Sequence, residues 1–274
     1  MKKTLIAAAV MAASGVAFAA SNVTLYGVIE EGVVVSKAKH KDTMVDLKAG
    51  FDSGNRWGIK GVEDLGNGYS VGFILEQGFT ADDGNAANAN YTTSSGFTRE
   101  SFMYVTGNFG KLGFGRTGSL SSGAQSNHIL TGWALGTGLG LSSWTSEIGT
   151  SYGRLNNTIS YATPSFSGLT IHAMYSNGIG EDTNKWSENT HYYGIGAKYQ
   201  ANAIKSSLIF EAVDNKGGEK NLVGNKVHGD KAYTVNFGFE YNLGSFTPMF
   251  AYQWANQDLS LIHISEPTRP EPIS

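Results

Sequence analysis

From Tyr69 onward, apolar positions alternate with small or polar ones. Tyr69, Val71, Phe73, Leu75 and Phe79 fall on one side, and Ser70, Gly72, Glu76 and Gly78 on the other. Successive strand side chains point to opposite faces, so this is a two-faced strand. The same period returns at Tyr233, Val235, Phe237, Phe239 and Tyr241, with Thr234, Asn236, Gly238 and Glu240 between them. It returns again at Leu169, Ile171, Ala173 and Tyr175, and at Tyr193, Ile195, Ala197 and Tyr199 opposite Gly194, Gly196 and Lys198. Tyr233 and Tyr241 lie about 26 Å apart along a strand and about 20 Å apart along an axis tilted by about 40°. That is near the height of a lipid-facing band between two aromatic girdles.

Extending this reading predicts about eleven strands, at 23–35, 55–64, 69–79, 98–108, 111–117, 157–163, 168–176, 191–200, 204–213, 232–243 and 246–254. Long loops (36–54, 80–97, 118–156, 177–190 and 214–231) alternate with short turns (Leu65–Gly68, Phe109–Gly110, Pro164–Ser167, Ala201–Ala203 and Gly244–Ser245). Such alternation predicts an all-β transmembrane antiparallel barrel, with short turns in the periplasm and long loops outside. A membrane also demands closure, because an open sheet edge in lipid leaves unpaired amides and carbonyls at several kcal/mol each.

Composition agrees with this class. Glycine is 36 of 274 residues, about 13% against about 7% in ordinary chains, and charged residues are 16% against about 25%. Lys2 and Lys3, an apolar run from Leu5 to Phe18 and Ala17-Phe18-Ala19 read as a secretory signal peptide over 1–19. The absence of cysteine excludes a disulfide framework and a thiolate metal site. The six histidines show no ligand spacing, so no metal or other cofactor is expected. A net charge of −3 leaves no footprint for nucleic acid. Two short motifs invite enzymatic readings. Gly113-Phe-Gly-Arg-Thr-Gly118 has the spacing of a dinucleotide turn, but SLSSGAQS follows it and no apolar helical period supplies an amide-rich helix start. Gly149-Thr-Ser-Tyr-Gly153 matches a nucleophile elbow, yet it sits in a long polar loop rather than between a buried strand and a helix. No catalytic residues are assigned.

The segments SNVTLYGVIEEGV, NRWGIKGVEDLGNGYSVGFILEQGF, FGKLGFGR and RLNNTISYATPSFSGLTIHAMYSNG, taken in order, resemble Gram-negative general porins, particularly the beta-proteobacterial type. The resemblance spans about residues 20 to 254. It implies a sixteen-stranded barrel, homotrimeric in the outer-membrane lipid, that passes small hydrophilic solutes and ions by diffusion and is narrowed by its third external loop. It also implies a basic cluster on the wall, which the motifs place at Arg56, Arg116 and Arg154. Strand parity agrees for Arg56, since Trp57 and Ile59 take the lipid side. A further basic position of the family's first strand corresponds here to Val28. The constriction loop would run from Gly118 to Tyr152, where Glu147 is the only carboxylate and Trp133 and Trp144 either line the narrowing or pack the loop. The competing reading is an outer-membrane barrel with an adhesive or structural surface role.

The two-residue period stops at Trp254, and three of the five prolines fall in the last eight residues. Leu259 to Ser274 reads as a translated sequencing adapter, which leaves residues 20–258 as the barrel region, with its closing strands expected to be missing. Even strand numbers in bacterial barrels point the same way. Tags inserted near Asn88 and Lys216 of the full-length gene should be labelled on intact cells, and a tag at Asn67 should not. Labelling at Asn67 would mean that the barrel is inverted or the strands are shifted.

Overall fold

The computed structural model describes residues 22–50, 54–86, 96–122, 153–179, 185–215 and 231–257. They form thirteen strands: β1 (Asn22–Val28), β2 (Glu31–Lys37), β3 (Thr43–Ala49), β4 (Arg56–Gly66), β5 (Tyr69–Gly78), β6 (Glu100–Gly107), β7 (Gly110–Gly118), β8 (Arg154–Ala162), β9 (Leu169–Ser176), β10 (His191–Ala201), β11 (Ile204–Asp214), β12 (Lys231–Tyr241) and β13 (Met249–Gln257). Eleven of them make one antiparallel sheet in the order β1-β4-β5-β6-β7-β8-β9-β10-β11-β12-β13, and β2 and β3 pair separately. Edges β1 and β13 do not pair with each other, so the sheet is not closed. Among the described residues no helix is long and apolar enough to cross a membrane.

The register shows how the two faces arise. Paired residues of an antiparallel ladder share a face. Leu112, Tyr161, Ala173, Ile195, Phe210, Val235 and Trp254 therefore stand in one row across β7 to β13. One position along, Gly113, Ser160, Met174, Gly194, Glu211, Thr234 and Ala255 make the opposite row. Ile195 is 54% exposed and Glu211 0%, the reverse of the burial expected in water. The apolar rows are the face that meets hydrocarbon.

Glycine's abundance has a local cause on the small-or-polar face. A methyl group on Gly72 would overlap the Tyr104 ring, one on Gly113 the Phe102 ring, and one on Gly58 the Tyr26 ring. These aromatic side chains lie flat across neighbouring strands because the strand beneath has no Cβ there. At the short turn after β4, Gly66, Asn67 and Gly68 all take positive φ, which Gly and Asn tolerate best. The Asp64 carboxylate accepts the Gly66 amide at 2.8 Å and seats this turn.

One expected element is corrected. The strand expected over 23–35 is interrupted, and the expected loop 36–54 contains β3. The Glu30 amide donates to Asn55 Oδ1 at 2.6 Å, and the Glu30 carbonyl accepts from Gly50 at 2.9 Å, which ends the ladder with β4 at Val28. The chain then pairs with itself, from Glu31 opposite Ala49 to Lys37 opposite Thr43. β8 also starts three residues before the expected strand, at Arg154.

Replacing Gly72 or Gly113 by Val should lower the barrel's stability by about 1–3 kcal/mol each, the usual cost of overpacking. Urea titration of the heat-modifiable gel band measures it. An unchanged midpoint would show that the rings do not rest on these glycines.

Candidate functional site

At the long-loop ends of β4 to β8 the small-or-polar face collects charge. Tyr26, Gly58, Glu76 and Glu100 share one row across β1, β4, β5 and β6. Glu76 is the centre of a network: Arg99 Nε meets Oε1 at 2.5 Å, Arg56 Nε stands 3.9 Å from Oε2, and the Tyr26 hydroxyl donates to Oε2 at 2.9 Å. Arg56 also donates from Nη1 to the Gly54 carbonyl at 2.9 Å. Arg116 donates from Nε to the Thr98 carbonyl at 2.7 Å and from Nη1 to Asn156 Oδ1. The charges of Arg99, Glu100, Arg116 and Glu76 all reach Arg154, whose buried Nε has no hydrogen-bond partner among the described residues. Four arginines (56, 99, 116 and 154) against two glutamates (76 and 100) leave a formal excess of four minus two, or +2. Where water lines such a wall, an excess of this sign would raise the local concentration of anions.

The chain leaving β7 turns onto the same face. Ser119, Leu120, Ser121 and Ser122 are all buried. Leu120 packs with Leu155, Met174, Tyr192, Ile209 and Val213, which come from β8 to β11. Its amide donates to the Tyr192 hydroxyl at 3.3 Å, and that hydroxyl donates to Glu211 Oε1 at 2.7 Å. Glu211 Oε1 accepts the Ser121 amide at 3.2 Å, and Oε2 accepts from Thr234 at 3.3 Å and Asn236 at 3.5 Å. A fully buried carboxylate is tolerable only when hydrogen bonds surround it, and here they tie the root of the long loop to strands β10 to β12. The Ser119 amide also donates to the Gly153 carbonyl at 2.8 Å, which clasps the two ends of that loop together.

Of the residues expected at a constriction, Arg56, Arg116 and Arg154 are brought to this one end of the sheet. Arg116 falls within the register shift between Gly115 and Thr117, so strand alternation does not set its direction; its two hydrogen bonds do. Glu147, Trp133 and Trp144 lie outside the described residues. Val28, at the place of the absent basic residue, pairs with Arg56 across the first ladder. Four charged participants were not singled out as site residues from the sequence: Glu76, Arg99, Glu100 and Glu211. Glu76 and Glu211 sit on the polar phase of the alternation, which marks them as face-selective carboxylates, but only the register brings Arg99 to Glu76. No group of three or more His, Asp or Glu side chains among the described residues could hold a metal ion.

Comparison with known proteins agrees with this geometry. A family model described as Gram-negative porin matches residues 6–263. The chain is 38% identical over 180 residues to outer membrane porin protein 32 of Delftia acidovorans, covering 64% of this chain and 50% of that protein. It is 31% identical over 204 residues to the major outer membrane protein P.IB of Neisseria meningitidis serogroup B, covering 72% and 56%. The chain thus spans about half the length of the curated relatives it matches. Among solved structures, the anion-selective porin from Comamonas acidovorans superposes with a TM-score of 0.60 at 26% identity, over 86% of this chain and 68% of that one. OmpT of Vibrio cholerae, at 14% identity, shares the fold with a TM-score of 0.53 over 87% and 65%. An apolar outer face, a charged inner face and a match across nearly the whole sequence lead to one conclusion: this chain belongs to the Gram-negative porin family of the outer membrane.

Proposed function

We propose that the full-length barrel is a passive diffusion pore for small hydrophilic solutes and ions, without catalysis or cofactor, narrowed by the loop from Gly118 to Tyr152. Arg56, Arg116 and Arg154 line the constriction, with Glu147 facing them from the loop, and Arg99 joins the basic side. The observation that carries this reading is the burial of Ser119 to Ser122 against the polar face, because a loop leaving over the rim would not bury its root there. With Glu147 counted, four arginines stand against three glutamates, and that formal excess of four minus three, or +1, makes the pore weakly anion-favouring. The anion-selective porin with the same fold agrees with that sign. The assembly is a homotrimer, as the family resemblance implies, with the apolar rows against lipid and neighbouring copies.

Planar-bilayer recording under a salt gradient tests the selectivity. The reversal potential should indicate a modest anion preference at 0.1 M salt that fades at 1 M, where the screening length falls from about 10 Å to about 3 Å. Arg116→Gln should move the potential toward cations and Glu147→Gln toward anions. An unmoved potential in the Arg116 variant would remove that residue from the constriction.

The loop root gives a separate test. Glu211→Ala leaves the Ser121 amide and the Tyr192 hydroxyl without their shared acceptor, so the loop should loosen, with larger and noisier single-channel conductance. Glu211→Gln keeps an acceptor oxygen and should stay nearer the parent. Identical conductance in all three proteins would mean that this carboxylate does not hold the narrowing.

A further inference from the structure

Far from the arginines, the polar face carries a second group of cations. Lys111 pairs across the ladder with Ala162, Ala162 with His172, and His172 with Gly196. These residues share a row that continues through Ile209 to the fully buried Asn236. Lys198 is two residues beyond Gly196 on β10, and Lys205 two residues before Ser207, the partner of Lys198 on β11. The steps from His172 to Lys198 and from Lys198 to Lys205 are both diagonals between adjacent strands, about 7–8 Å each. Lys111 and His172 are two strands apart, about 10 Å. The charges of Lys111 and Lys198 both reach His172, and that of Lys205 reaches Lys198. Together they make a slanted file of three ammonium groups, with the His172 ring set among them, that descends the wall toward the short-turn rim.

Lys111 is held in an unusual way. Its Nζ stands 4.3 Å from the centre of the Tyr104 ring and 5.6 Å from that of Phe102. Among the described residues it makes no ion pair, and the charge of Glu100 reaches it only at longer range. Ring faces orient an ammonium without neutralising it, so its charge still acts on passing anions. Lys205 does pair with Glu240, at 2.7 Å. The buried Nε2 of His172, in the middle of the file, has no hydrogen-bond partner among the described residues.

We infer that Lys111, His172, Lys198 and Lys205 form a second anion station, which takes small oxyanions such as inorganic phosphate after they pass the arginine cluster. The spacing is too wide for one small anion to be chelated by every member. Each position attracts weakly, and the anion is passed from one to the next, as conduction requires: a site strong enough to be occupied and weak enough to be left. The inference rests on the polar face being the solute path proposed above.

The test uses the full-length barrel in a planar bilayer carrying a chloride current, with inorganic phosphate added on the short-turn side. Phosphate should reduce the current. Lys111→Gln and Lys198→Gln should each raise the phosphate concentration for half-block about threefold, the Boltzmann factor of one unit charge about 7 Å away through water, and the double variant about tenfold. Lys111→Arg keeps the charge and should leave block unchanged. If the parent keeps its anion preference in a chloride gradient but phosphate does not block, or the double variant blocks like the parent, the second station is overturned and the pore reading stands. A parent with no anion preference would instead overturn the selectivity of the pore itself.

Discussion

Hydrocarbon offers no water to an unpaired amide or carbonyl, so a chain that crosses it as strands must satisfy its backbone sideways, strand to strand. Everything else here follows from that requirement. The ladder fixes which residues stand in a row, the two-residue period divides the rows into two faces, and the face turned to lipid must be apolar. Rows such as Leu112-Tyr161-Ala173-Ile195-Phe210-Val235-Trp254 are therefore exposed or half-buried, and polar residues such as Thr234 and Asn236 are hidden. A soluble sandwich built from the same strands would bury the first set and expose the second.

The polar face inherits the chemistry. Its large side chains lie against the wall where a neighbouring strand carries glycine, as with Tyr104 over Gly72 and Phe102 over Gly113. Its charges sort by height. Arginines and glutamates knit together at the long-loop end, and lysines with His172 occupy the short-turn half. Between them, on β11, Glu211 uses its full set of acceptor sites to hold the root of the long loop. On the proposed solute path an ion would meet two groups of basic side chains, one on each side of the anchored loop root.

Much of this was legible in the sequence, because the two-residue period is a direct imprint of the two solvents. It located ten of the eleven strands of the main sheet to within a few residues and put Arg56 and Glu76 on the polar side. The first strand misled, since Val33 and Val35 continue the apolar phase of Val23 and Leu25. Only the hydrogen bonds of Glu30 to Asn55 and Gly50 show that the pairing changes there. Arg116 was found by motif but could not be aimed by parity, because the register shifts beside it. Arg99 reaches Glu76 from 23 residues away and Ser121 reaches Glu211 from 90. Contacts at such separations are set by strand register and leave no periodic trace in a single chain.

The central claim is that β10 separates water from lipid residue by residue, and the absence of cysteine from these 274 residues helps to make it measurable. Single cysteines placed in turn from position 193 to 198 of the full-length barrel, reconstituted in liposomes, can be challenged with a small membrane-impermeant maleimide. The substitution of Lys198 should react readily, those of Gly194 and Gly196 more slowly because that part of the polar face is covered, with Tyr192 and Leu120 lying over Gly194, and those of Tyr193, Ile195 and Ala197 not at all. Uniform reactivity along the strand, or reaction at the odd positions instead, would contradict the account.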